Sequence, residues 1–262
     1  MKNARYALVT GASRGIGSHF ARALAARSWN LILVARSKDR LEELSRQLTD
    51  AHGIHVEPIA ADLTASGAGA AIARRVEEEG LEVELLVNNA GQGLRGQFLS
   101  LSLEAQADSI RLNTLALTEM TYLLLPGMIA RGRGCVINVS STASFQPMPY
   151  AAVYAATKAF VTSFSVALAE EVRSSGIRVV TLCPGPTATD SSAERKSPSR
   201  LPRQPAEEVV EEALKKASAG GGVVVPRLLN KVMAFSNRLM PLHVSAKIVA
   251  RGMGGTSKNP ET

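Results

Sequence analysis

Six short runs of apolar or β-branched residues, each followed by a stretch with helical periodicity, set the strongest limit on how this chain can fold. Strands that alternate with helices favour a parallel sheet with helices on both faces, because parallel neighbours need a long crossover connection. A doubly wound α/β sheet of this kind binds ligands at the carboxyl ends of its strands. The six runs are residues 6–10, 30–35, 55–60, 85–88, 136–139 and 177–182.

The length and the hydrophobic content suit one domain. A chain of 262 residues with 45% hydrophobic residues can bury a large core, and α/β domains often exceed the usual domain size. We expect residues 1–227 to form the domain and residues 228–262 to add a helical extension to it. The apolar run after Arg5 is too short for a signal peptide, and no run of about 18 apolar residues occurs to cross a bilayer. A soluble, cytoplasmic protein is therefore expected.

Two cysteines, Cys135 and Cys183, lie among β-forming residues. Cysteines in such surroundings are usually buried in the core. Reduced thiols are therefore expected rather than a disulfide or a metal pair. Metal ligation has no support in the sequence, and no metal site is predicted.

Three glycines lie between the first predicted strand and the helix that follows it. Gly11, Gly15 and Gly17 have the spacing Gly-x-x-x-Gly-x-Gly, whereas most dinucleotide folds have Gly-x-Gly-x-x-Gly. Glycine permits a tight turn and a close approach of the backbone to a pyrophosphate, and the N-terminus of a helix favours an anion. Glycines alone are compatible with an ordinary turn, but their position between strand and helix favours nucleotide binding.

Two arginines indicate which dinucleotide would bind. About 20 residues after the glycines, such folds place an acid on the adenosine ribose 2′-hydroxyl, or a base where a 2′-phosphate is held. That position holds Arg36, and Arg14 lies inside the glycine turn. Either arginine is compatible with a solvated loop, but two of them with no acid favour NADP. Asp62 is a candidate to accept from the adenine amino group, or to cap a helix starting near Thr64.

Small polar residues also follow the fourth and fifth strands. Residues 88–91, Asn-Asn-Ala-Gly, let the backbone pass close to a ribose, although the same residues also make a plain turn. Asn113 lies in an otherwise apolar helix, where an asparagine is usually a hydrogen-bonded kink. Ser140 and Ser141 end the fifth strand and should point toward the same crevice as the glycine turn.

A phenol and an ammonium, Tyr154 and Lys158, are four residues apart and share one face of a helix. The pKa of tyrosine is ordinarily near 10, and an adjacent ammonium favours the phenolate, which moves that pKa toward the range of a working acid or base. The same spacing occurs by chance on many surface helices. The hypothesis of proton chemistry therefore depends on the other motifs.

Together these segments resemble the short-chain dehydrogenase/reductase family. The family's motifs occur in order at residues 10–17, 88–91, 113, 141, 154 with 158, and 184–185, so the match covers residues 5 to 190. The resemblance implies a three-layer αβα Rossmann-type fold of about seven parallel strands, the last at residues 223–225. Residues 154–160, 163–168 and 182–187 are most similar to the branch that contains 3-ketoacyl reductases and hydroxysteroid dehydrogenases.

The resemblance also implies roles for individual residues. Tyr154 protonates the substrate carbonyl as hydride arrives from the nicotinamide, and Lys158 lowers the pKa of Tyr154 and holds the nicotinamide ribose. Ser141 hydrogen-bonds the carbonyl oxygen, and Asn113 holds a water that relays protons. The residues implied to bind the cofactor are Gly11, Ser13, Arg14, Gly15, Ile16, Gly17, Arg36, Asp62, Leu63, Asn89, Ala90, Gly91, Tyr154, Lys158, Pro184, Gly185, Thr187 and Thr189. The last four would lie beside the nicotinamide.

These residues predict an NADPH-dependent oxidoreductase that reduces a ketone or an aldehyde. The alternative is a non-catalytic protein that senses NADP(H), which the complete set of four catalytic residues disfavours. No motif identifies the substrate, so long acyl thioesters, bulky hydrophobic ketones and small aldehydes stay open. Residues 188–205 should cover the crevice and include a loop at 191–205 that we expect to be mobile.

The resemblance implies a homodimer or homotetramer. The family's usual contact lies between the helices that carry Asn113 and Tyr154. Here both helices hold more apolar residues than one core-facing stripe needs. We therefore expect these two helices to form a subunit contact.

The positive charge is concentrated toward the C-terminus. The formal net charge is +7, and residues 194–262 hold 12 Lys or Arg against 6 Asp or Glu. Within residues 228–251, apolar residues recur at helical spacing with a break at Pro241, namely Leu228, Val232, Phe235, Leu239 and Leu242. We expect this stripe to pack over the crevice or to form a subunit contact. A peripheral contact with an anionic membrane is the alternative, and a nucleic-acid partner is not expected because no recognition motif accompanies the charge.

Overall fold

Strands and helices alternate along the chain, as the sequence predicts. The computed structural model describes residues 5–189 and 203–253. The strands are β1 (Arg5–Thr10), β2 (Asn30–Ala35), β3 (Val56–Ala60), β4 (Glu82–Asn88), β5 (Gly134–Val139), β6 (Ile177–Leu182), β7 (Thr187–Ala188), β8 (Gln204–Pro205) and β9 (Gly222–Val224). The α-helices are α1 (Gly15–Ala25), α2 (Lys38–His52), α3 (Ala68–Glu78), α4 (Leu103–Ile110), α5 (Ala116–Ala130), α6 (Ala152–Glu171), α7 (Ala206–Ser218), α8 (Leu228–Leu239) and α9 (Leu242–Met253).

Seven of these strands form one parallel sheet. Their order is β3-β2-β1-β4-β5-β6-β9, so the sheet is wound outward in both directions from its middle. The direction of winding reverses between β1 and β4, and in such sheets a crevice opens at that point beyond the carboxyl ends of the strands. The predicted doubly wound α/β fold is confirmed. The last strand lies one residue earlier than expected, at Gly222–Val224.

Consecutive residues of the central strands point to opposite faces of the sheet. Ala7 and Val9 of β1 belong to the hydrophobic cluster that contains Phe20 of α1 and residues of α2 and α7. Leu8 belongs to the cluster on the other face, together with Met120 of α5 and residues of α3 and α6. Because helices cover both faces, β1 is apolar along its length rather than alternating. The result is the expected three-layer αβα arrangement.

Helix α6 is long and apolar enough to cross a membrane by length and composition alone, which the sequence analysis did not anticipate. The helix nevertheless packs on the sheet through polar contacts. Nζ of Lys158 donates to the carbonyl oxygen of Val139 at 2.8 Å, and Nδ2 of Asn138 donates to Oγ of Ser165 at 2.9 Å. Such buried and satisfied hydrogen bonds are those of a core helix.

Both cysteines are buried with free thiols, as expected. Burial raises the pKa of the Cys135 thiol to about 12 and also raises the pKa of Cys183. Both thiols are therefore protonated and unreactive at neutral pH. Across residues 5–189 and 203–253, no group of three or more His, Cys, Asp or Glu side chains is placed to hold a metal ion.

A two-stranded sheet joins the ends of the segment that was predicted to cover the crevice. Strand β7 pairs in parallel with β8, and the backbone N–H of Gln204 donates to the carbonyl oxygen of Pro186 at 2.9 Å. The two ends of residues 188–205 are thus held side by side. Most of the loop expected at 191–205 falls on residues 190–202, which lie outside the described part of the chain.

Helix α1 begins tightly packed against the turn that follows β1. Gly11 has φ +66°, in the left-handed region that favours glycine. A Cβ at Gly17 would collide with the carbonyl oxygen of Gly11 and would lie 2.5 Å from Nδ2 of Asn89. The glycines therefore allow α1 to approach the turns after β1 and β4 more closely than any other residue would permit.

Replacing Gly17 by alanine should destabilise the fold by about 1–3 kcal/mol, because the added methyl overpacks this junction. Urea denaturation would measure the free energy of unfolding. Gly69→Ala in α3 is the matched control, since its Cβ would meet only side chains at ordinary contact distances, Glu119 at 3.4 Å and Leu123 at 3.5 Å. That variant should be unchanged or more stable by up to about 1 kcal/mol. Equal stability of the two variants would contradict the packing argument.

Candidate active site

A cavity of about 710 Å³ opens at the carboxyl ends of the central strands. It brings together every residue that was predicted to bind the cofactor, with the exception of Gly17. The predicted residues on its wall are Gly11, Ser13, Arg14, Gly15, Ile16, Arg36, Asp62, Leu63, Asn89, Ala90, Gly91, Tyr154, Lys158, Pro184, Gly185, Thr187 and Thr189. Ser141 also lines the cavity, whereas Asn113 does not. Gly17 does not line the cavity, but it lets α1 pack closely against the turns that do.

Hydrogen bonds between side chains and backbone join the turns after β1 and β4. Oγ1 of Thr10 accepts from the backbone N–H groups of Asn89 and Ala90, each at 3.0 Å, and donates to the carbonyl oxygen of Val87 at 3.3 Å. Nδ2 of Asn89 donates back to the carbonyl oxygen of Thr10 at 2.9 Å. The two turns are therefore held as one rigid floor of the cavity.

The floor of the cavity fits a pyrophosphate. The first turn of α1 contains no acidic residue, and the preceding residue, Arg14, makes no side-chain capping hydrogen bond. The N–H groups of this turn and the helix dipole are thus available for an anion. At Gly11, a Cβ would lie 2.9 Å from Cα of Ala90, so glycine lets the two turns that form this floor pack against each other.

Three arginines line one end of the cavity. Arg14 comes from the glycine turn, Arg36 follows β2, and Arg40 lies in the first turn of α2. The sequence analysis missed Arg40, although its spacing of four residues from Arg36 was a signal that could have identified it. Three guanidinium groups around one end of a cavity suit a phosphate group.

Asp62 holds a local turn at the same end of the cavity. Its Oδ1 accepts from the backbone N–H of Thr64 at 2.9 Å and from the Thr64 hydroxyl at 2.7 Å. These two bonds, together with the nearby charge of Arg36, lower the pKa of the Asp62 carboxyl. The suggestion that Asp62 caps a helix starting near Thr64 was wrong, because α3 begins only at Ala68. The remaining carboxylate oxygen is the one that could reach an adenine.

Tyr154 and Lys158 lie on the same face of α6, at the other end of the cavity. Nζ of Lys158 lies 5.9 Å from the centroid of the Tyr154 ring. Lys158 is only 5% exposed, and burial lowers the pKa of its ammonium to about 8, against a small opposing effect of Cys183. A Cβ at Gly93 would lie 3.6 Å from the Tyr154 ring. Gly93, which the sequence analysis missed, thus lies beside the Tyr154 ring and lines the cavity.

The two serines after β5 have different surroundings. Oγ of Ser140 is buried, donates to the carbonyl oxygen of Lys158 at 2.9 Å and hydrogen-bonds Oγ1 of Thr162 at 2.7 Å. Oγ of Ser141 accepts from the backbone N–H of Ala143 at 3.1 Å, at the start of a 3₁₀ turn. Ser140 therefore anchors α6 to the sheet, and Ser141 presents a hydroxyl that can still donate into the cavity.

Asn113 is buried behind the cavity in a π-helical turn between α4 and α5. Its Nδ2 donates to the carbonyl oxygen of Gln92 at 2.9 Å, to Oγ1 of Thr157 at 3.0 Å and to Oγ of Ser109 at 3.3 Å. Its Oδ1 accepts from the backbone N–H of Gln92 at 2.8 Å. The expected hydrogen-bonded kink is confirmed, and π-turns of this kind are frequent at functional sites. The side chain ties the segment after β4 to α6, next to Lys158.

A second, apolar cavity of about 520 Å³ lies on another side of α6. Its wall includes residues 144–149, Leu242 of α9 and four alanines of α6, among them Ala156 and Ala159. Helical geometry turns Ala156 away from Tyr154. None of the residues on its wall also lines the larger cavity. The two cavities are therefore separate in the described part of the chain.

Comparison with known proteins gives the following similarities. The family model described as short chain dehydrogenase matches residues 5–200. A very-long-chain 3-oxoacyl-CoA reductase of Rattus norvegicus is 32% identical over 248 residues, which cover 93% of this chain and 78% of the rat protein. A protein of the same name from Pyrenophora tritici-repentis is 35% identical over 221 residues, covering 83% of this chain and 64% of the fungal one. The chain thus spans less than two thirds of that fungal relative.

A solved structure is also similar over nearly its full length. It is a short-chain dehydrogenase from Sphingobium yanoikuyae in complex with NADPH, with a TM-score of 0.81 and 33% sequence identity. The alignment covers 98% of each chain. The two chains therefore share the same overall fold.

The buried ammonium predicts how stability depends on pH. Above the folded pKa of about 8 and below the ordinary value of 10.5, the unfolded state keeps a proton that folded Lys158 has released. Stability contributed by this group therefore rises with pH across that window. The difference in unfolding free energy between the wild type and Lys158→Met should rise by up to roughly 3 kcal/mol from pH 7.5 to 10.5. Lys38→Met, which removes an exposed lysine, is the control and should show no such rise. If the difference in unfolding free energy between the wild type and Lys158→Met stays constant over this pH range, the prediction is contradicted.

Proposed function

The chain belongs to the short-chain dehydrogenase family, and on this basis we propose that it is an NADPH-dependent oxidoreductase that reduces a ketone or an aldehyde. The observation that carries the proposal is the meeting of Tyr154, Lys158 and Ser141 at one end of a cavity whose other end has a glycine-rich floor and three arginines. The alternative of a non-catalytic NADP(H) sensor is not favoured, since the relatives are named as reductases.

The residues on the cavity wall fit NADPH, which supplies the hydride when it is bound. The N-terminal turn of α1 would hold the pyrophosphate, because its N–H groups face the cavity over Gly11 and Gly15. Arg14, Arg36 and Arg40 would hold the 2′-phosphate by charge-assisted hydrogen bonds. The NADPH complex of the Sphingobium yanoikuyae enzyme supports this choice of cofactor.

Tyr154 is the proposed general acid. Its phenol can protonate a carbonyl oxygen that accepts a second hydrogen bond from the Ser141 hydroxyl, where negative charge grows during reduction. Because the pKa of Lys158 is about 8, its ammonium is still mostly charged at neutral pH. A buried cation beside the phenol favours the phenolate that remains after proton transfer. Lys158 and the segment at Thr187 and Thr189 would also contact the nicotinamide half of the cofactor.

For Asn113 we propose a positioning role. Its amide bridges the backbone of Gln92 and the hydroxyl of Thr157, and so fixes α6 relative to the chain after β4. The water relay implied by the family resemblance stays a prediction. The relay would require a water between Asn113 and Lys158. Oδ1 of Asn113 and Nζ of Lys158 both lie close to Gly91.

The substrate is proposed to be a carbonyl compound with an extended apolar or acyl-thioester portion. The support comes from the relatives, which are named very-long-chain 3-oxoacyl-CoA reductases. Bulky ketones and small aldehydes are the other classes. The segment that should contact this portion includes residues 190–202, outside the described chain, so the choice among these classes requires a substrate panel.

Assembly, location and domain boundaries complete the proposal. Helices α5 and α6 expose large apolar side chains such as Tyr122 and Phe160, which supports a homodimer or homotetramer through these helices. We also propose a cytoplasmic location. We propose that residues 1–227 form the cofactor-binding and catalytic part and that residues 228–262 form an extension of the same domain.

Replacing Tyr154 by phenylalanine should lower kcat by about 10² to 10⁴, because the ring keeps its packing and loses the proton donor. NADPH absorbance loss would be followed with a panel of 3-oxoacyl thioesters, bulky ketones and small aldehydes. Tyr122→Phe removes an exposed phenol on α5 and should leave turnover unchanged. Near-normal turnover of the Tyr154 variant would exclude the mechanism, and NADPH binding without turnover of any substrate by the wild type would favour the sensor.

Cofactor preference tests the role of Arg36. Each charge-assisted hydrogen bond to the 2′-phosphate should contribute about ten- to hundredfold in affinity, so kcat/KM should be clearly higher with NADPH than with NADH. Arg36→Asp should reduce or reverse this preference. Arg74→Asp, an exposed arginine of α3, should not change it. Equal kcat/KM values for the two cofactors in the wild type, or an unaltered ratio in the Arg36 variant, would refute the assignment.

A further inference from the structure

Helix α8 turns its apolar stripe toward solvent. Leu228, Val232 and Phe235 lie on one helical face and are 75%, 57% and 66% exposed. The next helix, α9, begins with Leu242, which is 68% exposed. The expectation that this stripe packs inward over the crevice was therefore wrong for Leu228, Val232 and Phe235, whereas Leu242 lines the smaller, apolar cavity. The side chain of Leu239, which continues the predicted stripe, lies outside the described part.

The inward side of α8 consists of small and polar residues. Asn230 is buried, and its Nδ2 donates to the carbonyl oxygen of Pro226 at 2.8 Å. Ala234 packs in a small cluster with Cys183. Nδ2 of Asn237 donates to Oε1 of Gln146 at 2.7 Å. The fold thus holds α8 in place mainly with this side, and Leu228, Val232 and Phe235 leave most of their side-chain surface exposed.

The segment of sequence that carries this stripe is basic. Between Glu212 and Glu261 the sequence contains eight Lys or Arg and no Asp or Glu. Lys231 is exposed on α8, and Lys247 is exposed on α9 next to Ile248. Cationic side chains therefore lie beside an exposed apolar face, and the acid Glu208 pairs with Arg227 at the start of α8 at 3.2 Å.

We propose that the outward face of α8 and the start of α9 bind the surface of an anionic lipid membrane. The apolar side chains would enter the boundary between headgroups and acyl chains, while the lysines contact the anionic headgroups. A second copy of the chain is a poorer partner. In a two-fold symmetric contact the same basic face would meet itself, and like charges repel.

The position of α8 gives this contact a consequence for the substrate. The side chain of Asn230 packs directly against Gly185 on the wall of the larger cavity. Asn237 contacts Gln146, and Leu242 lines the apolar cavity. A membrane bound to the outward face would thus lie one helix away from both cavities, where an apolar carbonyl compound dissolved in lipid could be taken up. This last step rests on the proposed reductase function, whereas the membrane contact does not.

Sedimentation with lipid vesicles tests the proposal on the full-length protein. The wild type should sediment with phosphatidylglycerol vesicles at low salt and remain in solution with phosphatidylcholine vesicles. Val232→Asp/Phe235→Asp should weaken binding at least about tenfold, and Lys231→Glu/Lys247→Glu should do the same with a reduced dependence on salt. Leu99→Asp/Leu103→Asp removes two apolar side chains of 93% and 81% exposure elsewhere and should bind like the wild type.

Circular dichroism and light scattering accompany each variant. A wild type that does not sediment, or a Val232/Phe235 variant that binds as well as the wild type, would overturn the proposal. So would unaltered vesicle binding together with a smaller oligomer in that variant, since the stripe would then be a subunit contact. If the Val232/Phe235 variant fails to fold, the lysine variant and the salt dependence of the wild type decide the question. Vesicle binding needs no turnover, so an inactive but vesicle-bound protein would refute only the proposed reaction.

Discussion

The hydroxyl of Thr10 holds together the part of the molecule on which the site depends. It accepts from two backbone N–H groups of the turn after β4 while it caps the end of β1. These turns lie where the winding of the sheet reverses, so the hydrogen bonds fix the two halves of the crevice relative to each other. Buried backbone groups at strand ends lose their ladder partners, and a side chain that satisfies two of them removes a desolvation cost. Glycines on both sides of the junction then let α1 approach.

The opposite end of the cavity is organised around a charge that the fold buries at a cost. Lys158 has its ammonium in a nearly dry position, with the carbonyl oxygen of Val139 as its hydrogen-bond acceptor. An uncompensated buried cation destabilises a protein, and the surrounding network is correspondingly dense. Ser140 and Thr162 fix the helix to the sheet on one side, and Asn113 fixes it through Thr157 on the other. The same hydrogen bonds thus fix the position of α6 and support the buried charge.

The sequence was sufficient for the sheet, the glycine turn and the place of Tyr154 and Lys158, because periodicity and glycine geometry act locally. The sequence was insufficient where two alternative local structures favour the same residue type. Asp62 before Thr64 reads equally as a helix cap or as a turn, since both need a carboxylate that accepts a backbone N–H. The direction of α8 was misjudged for a related reason. An amphipathic pattern gives two faces, and here Asn230 and Ala234 formed the packed face against the usual preference for apolar burial.

The short pairing of β7 with β8 fixes the two ends of the segment between them relative to each other. Both ends of the segment between them are held together, since Thr187 pairs with Gln204, Ala188 pairs with Pro205, and the N–H of Gln204 donates to the carbonyl oxygen of Pro186. Changing the length of a connection whose ends are fixed costs little free energy, because closure entropy grows slowly with length. Residues between these ends can therefore be exchanged, lengthened or shortened during evolution while the cofactor cavity keeps its shape. In this architecture a change of substrate specificity can arise from substitutions between β7 and β8 alone, without a matching change in the residues that line the cofactor cavity.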